Sequence, residues 1–113
     1  VLADVDPSSR VAQEEVFGPV VGLIPFDSEA DAVRIANATA FGLSGSVWTR
    51  DGARGLRVAR ALQSGTLSIN SNSSVRYSTP FGGVKQSGLG RDLSMAAMDH
   101  YSDTKTVFIS TTG

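Results

Sequence analysis

Residues 43–69 read LSGSVWTRDGARGLRVARALQSGTLSI, and this stretch decides the fold. Leu43 to Trp48 predicts a strand, with Gly45 weakening it and leaving room for a close backbone neighbour. Asp51 is a good N-cap for a helix over about residues 51–64. Leu56, Val58, Ala59 and Leu62 give that helix an apolar face, and Arg54, Arg57 and Arg60 recur on another. A solvated helix surface is the plain reading of the arginines, and an anion site is the alternative. Gly65 suits the C′ position after the helix. Thr66 to Ile69 predicts the next strand. Strand, helix, strand in so few residues implies parallel pairing through a crossover.

The pattern extends upstream. Val20-Val21-Gly22-Leu23-Ile24 is a short apolar run ending at Pro25, which predicts another buried strand. Ser28 can cap a helix, with Asp31 three residues on as a capping-box variant and acids near the positive N-terminus. Ala32, Val33, Ile35 and Ala36 supply its apolar face. Downstream, Asn70 to Thr79 is polar and predicts a loop. A glycine-rich stretch, 82–90, follows. Neither a dinucleotide-binding G-x-G-x-x-G nor a P-loop pattern occurs there, so a tight chain path is the better reading. A short helix is predicted from Leu93 to Tyr101, with Met95 and Met98 on one side. Lys105 to Ser110 predicts a final strand.

The bulk numbers narrow the functional classes. The chain has 113 residues, a net charge of −1 and 41% hydrophobic residues, enough for a core. Near-neutral charge gives no electrostatic case for nucleic acid or for an anionic membrane surface. No apolar run reaches the roughly 18 residues of a membrane span, and no basic-then-apolar leader opens the sequence. With no cysteine, a disulfide scaffold, a zinc–thiolate site and thiol catalysis are excluded within these residues. His100, the one histidine, has no evident nucleophile to activate, and Asp99, His100 and Asp103 lack a metal-ligand pattern. No metal site is expected. Val1 to Val5 reads as the middle of a strand or loop, consistent with a fragment or a processed chain.

Two motifs remain: Glu14-Glu15-Val16-Phe17-Gly18-Pro19, and Pro80-Phe81-Gly82-Gly83-Val84-Lys85-Gln86-Ser87-Gly88-Leu89-Gly90-Arg91. In this order, with the strand–helix–strand pattern between them, the sequence resembles the C-terminal part of the aldehyde dehydrogenase superfamily, from Val1 to about Ser110. The resemblance implies an α/β fold, a three-layer-type parallel sheet with flanking helices. Residues 1–101 would belong to the catalytic domain and 102–113 to an oligomerisation strand and tail.

The same resemblance implies oxidation of an aldehyde to a carboxylic acid with NAD or NADP. Glu15 would accept hydrogen bonds from the nicotinamide ribose hydroxyls, since two carboxylate oxygens match a vicinal diol. Phe17 would pack against the nicotinamide. Phe81 would line the substrate channel, with Val75 and Ser73 on its entrance loop. The small residues Ser73, Ser74 and Val75 argue against an aromatic cage for a quaternary ammonium on that loop, because cation–π recognition needs ring faces. Arg76 is more readily a surface residue than a partner for a substrate carboxylate. Arg91 and Asp103 would form an ion pair near a subunit interface. Asp92 stands where the family usually has Glu, which shortens its reach and leaves it without a proton-relay role. The implied partners are an aldehyde, the remainder of the enzyme chain and further copies in a homodimer or homotetramer, in the cytoplasm.

The family's cysteine nucleophile and general-base glutamate lie upstream of Glu15, so no catalytic residue is assigned within these 113. A non-catalytic domain acting only in subunit assembly is the competing reading.

Overall fold

A computed structural model describes all 113 residues. Its centre is the expected strand–helix–strand unit. Strand β1 (Ser44–Val47) pairs in parallel with β2 (Thr66–Ile69), Ser44 opposite Thr66 and Val47 opposite Ile69. Two helices accompany the sheet besides a short α1 (Arg10–Gln13): α2 (Glu29–Asn37) and α3 (Gly52–Ala61). Both longer helices are capped as their sequences predict. Ser28 Oγ accepts from the Asp31 N–H at 3.1 Å. Asp51 Oδ1 accepts from the N–H groups of Ala53 and Arg54 at 2.9 and 3.1 Å. Such a cap contributes about 1 kcal/mol to the helix it starts.

Helix α3 lies close on the sheet because Gly55 faces it. A Cβ there would stand 3.1 Å from Ile69 Cγ2 and 3.3 Å from Thr49 Cγ2. The arginine row of α3 has a specific use. Arg57 donates to both carboxylate oxygens of Glu29 on α2, at 2.7 and 2.8 Å, and Arg54 lies 3.3 Å from the same carboxylate. All three arginines are exposed, as the solvated-surface reading expects, and two of them also tie α3 to α2 through surface ion pairs.

Four expectations are corrected. The run at 20–24 is not a strand of this sheet. It makes one parallel bridge, Leu2 to Gly22, and Val20, Val21 and Leu23 are exposed. Gly65 does not terminate a helix by left-handed geometry: α3 stops at Ala61, and Gly88 is the glycine with positive φ, at 104°. Gly65 is required for close approach, since a Cβ there would collide with the Gly82 carbonyl. The helix expected at 93–101 is a 3₁₀ turn, Met95–Asp99, entered through positive φ at Leu93 and Ser94. Residues 105–110 are exposed and pair with no strand. Helix α1 went unforeseen, although Asp6-Pro7-Ser8-Ser9 carries a start signal; Asp6 Oδ1 accepts from the Ser8 N–H at 2.8 Å.

The hydrophobic content is enough for a core, but little of it is buried. Four residues are buried: Val5, Gly42, Gly55 and Gly83. Three of them are glycines, so the tightest packing is backbone on backbone rather than side chain on side chain. The chain extends over 76 × 33 × 24 Å with a radius of gyration of 19.6 Å. A compact domain of this length has a radius near 13 Å. Its accessible surface is 8789 Å², against about 5,900 Å² for a compact monomer of this mass. No helix is long and apolar enough to cross a membrane.

Candidate functional site

A cleft of about 500 Å³ opens between the end of α1, the end of α2 and the start of β1. Glu14 and Glu15 stand on one side, Thr39, Phe41 and Gly42 on another, and Ser87 closes it from the glycine-rich loop. The topology thus brings both sequence motifs to one place, joined by a segment that belongs to neither.

The two adjacent glutamates differ sharply. Glu14 is engaged: Arg10 donates to its two oxygens through Nε and Nη2 at 2.9 and 2.8 Å, one helical turn away. That guanidinium holds the Glu14 carboxyl below the usual glutamate range. The Glu15 carboxylate makes no hydrogen bond or ion pair within the chain. It is exposed and free to accept from a ligand. Beyond it the backbone makes two successive tight turns, Gly18 N–H to Val16 carbonyl and Val20 N–H to Gly18 carbonyl. Phe17 sits at the centre of the first and projects outward, 94% exposed. A ring so bare on both faces is available for stacking.

Phe81, Val75 and Ser73 do not line this cleft. Phe81 is half-buried and held by a two-bond antiparallel bridge to Asp92, at 2.8 and 2.7 Å. Ser73 and Val75 are exposed on the loop after β2. Arg76 is tied within that loop, donating to Ser73 Oγ and the Val75 carbonyl, both at 2.9 Å. Its guanidinium is thus used by its own loop. Arg91 makes no ion pair with Asp103; its Nη1 donates to the carbonyls of Gly83 and Gly90 at 2.7 and 2.8 Å, and Asp103 is exposed. The site expected for that pair is therefore not formed inside one chain. His100 is exposed just after the 3₁₀ turn, and no cluster of acids and histidine is placed to hold a metal ion.

The loops that carry these residues rest on anchors that the motif reading did not single out. Asn70 adopts φ of 53° at the end of β2, and its side-chain amide exchanges two hydrogen bonds of 2.9 Å with the backbone of Thr49. Lys85, also at positive φ, reaches the end of α2. An asparagine directly after a strand is a legible signal for left-handed backbone; a lysine is not.

Residues 1–107 match the sequence profile of the aldehyde dehydrogenase family. The chain belongs to that family. It is 50% identical over 111 residues to the betaine aldehyde dehydrogenase of Agrobacterium fabrum, covering 98% of this chain and 22% of that protein. An aldehyde dehydrogenase of Emericella nidulans is 46% identical over 107 residues, 95% of this chain and 22% of its own length. Among solved structures, a Mycobacterium tuberculosis aldehyde dehydrogenase complexed with NAD+ superposes with a TM-score of 0.88 at 41% identity. That alignment covers 98% of this chain and 23% of the other. The P. syringae indole-3-acetaldehyde dehydrogenase, in complex with NAD+ and IAA, gives the same TM-score at 42% identity, with 95% and 22% covered. The chain thus spans about a fifth of the length of the curated relatives it matches.

Proposed function

We propose that these residues form the C-terminal part of the catalytic domain of an NAD- or NADP-dependent aldehyde dehydrogenase. In that assembly they supply the nicotinamide-side clamp and one wall of the substrate channel, beside a parallel sheet completed to three layers by other residues. The reaction is oxidation of an aldehyde to a carboxylic acid. No cysteine is available among these residues, so the nucleophile and the general base come from elsewhere in the enzyme.

The observation that carries the reading is the contrast between the paired Glu14 and the free Glu15 at the cleft wall. Glu15 receives the nicotinamide ribose hydroxyls, one on each oxygen, and the charge strengthens both hydrogen bonds. Phe17 offers a bare ring to the nicotinamide side. These two residues fit the group because neither has a partner within the chain to give up. When bound, the dinucleotide accepts the hydride from the substrate carbon. Phe81 forms the channel wall, and Ser73 and Val75 flank its entrance. The solved relatives carry NAD+, which supports this cofactor class here.

The test is dinucleotide affinity in the intact enzyme. Glu15→Gln keeps the shape and removes the charge, and loss of charge-assisted hydrogen bonds should cost roughly 1.5–3 kcal/mol. That is about tenfold to a hundredfold in affinity. Glu14→Gln should be much milder. Equal effects of the two changes would place the clamp elsewhere.

A second role is favoured by one observation. Val107, Phe108 and Ile109 are all largely exposed, on backbone without hydrogen-bond partners. Such a segment pairs with another sheet, and we assign it, together with Arg91 and Asp103, to contacts between subunits of a dimer or tetramer.

A further inference from the structure

Lys85 is the side chain that the motif reading leaves unused. It occupies the left-handed region with φ of 55°, which is disfavoured for any residue with a Cβ and ordinarily goes to glycine or asparagine. Glycines stand at 82, 83, 88 and 90 around it, yet this position carries a lysine. Its side chain accounts for that. Nζ donates to the Thr39 carbonyl at 2.7 Å and to the Asn37 carbonyl at 3.2 Å, from a half-buried position. Asn37 is the last residue of α2 and Thr39 lies two residues beyond it, so the ammonium sits at a helix C-terminus, where the final acceptors lack intrahelical partners and a cation is favoured.

The backbone adds to the same seam. The Gln86 N–H donates to the Ala40 carbonyl, the Val84 N–H to the Gly42 carbonyl, and the Gly42 N–H to Ser87 Oγ. Residues 84–87 are therefore laced to residues 37–42. From this seam back to Phe81 the path has no slack. A Cβ on Gly83 would stand 2.6 Å from Ser87 Cβ, and one on Gly82 would strike the Gly90 carbonyl. The other side of the seam, Thr39 to Gly42, is a wall of the cleft that holds Glu15.

We propose that Lys85 is a positioning residue. It joins the wall of the Glu15 cleft to the loop that bears Phe81, and so fixes how far the channel wall stands from the cofactor side. Aldehyde choice, rather than cofactor affinity, is the property it controls. The inference rests on the placement of Phe81 in the channel given above.

Three variants of the intact enzyme separate this role from plain stability. Lys85→Met keeps the length of the stem and loses the donor. Lys85→Gly relieves the backbone but also loses the donor. Lys85→Arg keeps donors and charge. The readouts are the ratio of kcat/KM for a bulky aldehyde and for acetaldehyde, the dinucleotide Kd, and the thermal midpoint. Lys85→Met and Lys85→Gly should each move the aldehyde ratio by roughly tenfold, as a displaced channel wall does, with the dinucleotide Kd unchanged. Lys85→Arg should keep the ratio, and Lys85→Gly should recover thermal midpoint relative to Lys85→Met without recovering the ratio. If Lys85→Met does not fold, Lys85→Gly carries the test. An unchanged ratio in a folded Lys85→Gly enzyme overturns the inference. A Phe81→Ala control keeps the two ideas apart. If Phe81→Ala moves the ratio and the Lys85 variants do not, the channel assignment stands and the role of Lys85 falls. If Phe81→Ala leaves the ratio unmoved, both fall.

Discussion

Glu14 and Glu15 show why a residue's neighbours matter more than its type. Sequence alone separates them only by position in a motif. The structure separates them by charge balance: Arg10, one turn back on α1, engages Glu14 and leaves Glu15 open. The motif singles out Glu15 and Phe17 as proposed contacts, while their exposure and lack of partners are visible only in the structure. Lys85 was not legible, because its value lies in two carbonyls more than forty positions away. The entrance loop is testable at this scale. Val75 is 51% exposed on a loop of small residues. Val75→Phe in the intact enzyme should penalise bulky aldehydes more than acetaldehyde, by about 1–3 kcal/mol in kcat/KM. A constant ratio across aldehyde sizes would remove this loop from the entrance.

At the scale of elements, what local chemistry governs was readable and what needs a distant partner was not. Ser28 and Asp51 cap their helices as expected, because a cap needs only its own next turn. β1 and β2 formed because each finds the other across α3. The runs at 20–24 and 105–110 have equally strand-like sequences, but 20–24 finds only residues 2–5, in a single parallel bridge, and 105–110 finds no backbone partner, and backbone groups without a partner do not make a sheet. The clamp between α2 and α3 likewise depends on the fold bringing Arg54 and Arg57 to Glu29. It carries a pH signature. The hydrogen bond from Arg57 lowers the Glu29 carboxyl below its ordinary value of 4.5. A lowered folded-state pKa stabilises above the unfolded value and is lost as pH falls through the folded one. In the intact enzyme Glu29→Gln should therefore lower the thermal midpoint at neutral pH. The gap to wild type should close as pH falls below 4.5 and shrink with added salt. A gap independent of pH would show that the clamp acts by packing rather than by charge.

At the scale of the whole molecule the decisive fact is surface. A chain with 41% hydrophobic residues buries one hydrophobic side chain, Val5. Phe26, Trp48, Phe108 and many smaller apolar groups remain exposed. Composition predicted enough apolar material for a core but could not say against what it packs. The matched relatives in its family are several times longer than this chain. Deleting residues 104–113 from the intact enzyme should lower its mass by light scattering to a smaller oligomer. An unchanged mass with an unchanged thermal midpoint would make them a dispensable tail. In the role proposed above, these residues hold cofactor and substrate while the reacting nucleophile lies elsewhere. The most direct measurement is the formation of reduced dinucleotide by the purified 113-residue chain, against a panel of aldehydes, beside the intact enzyme. The chain should give none and the enzyme should turn over. Turnover by the chain alone, in a preparation free of host dehydrogenase, would contradict it.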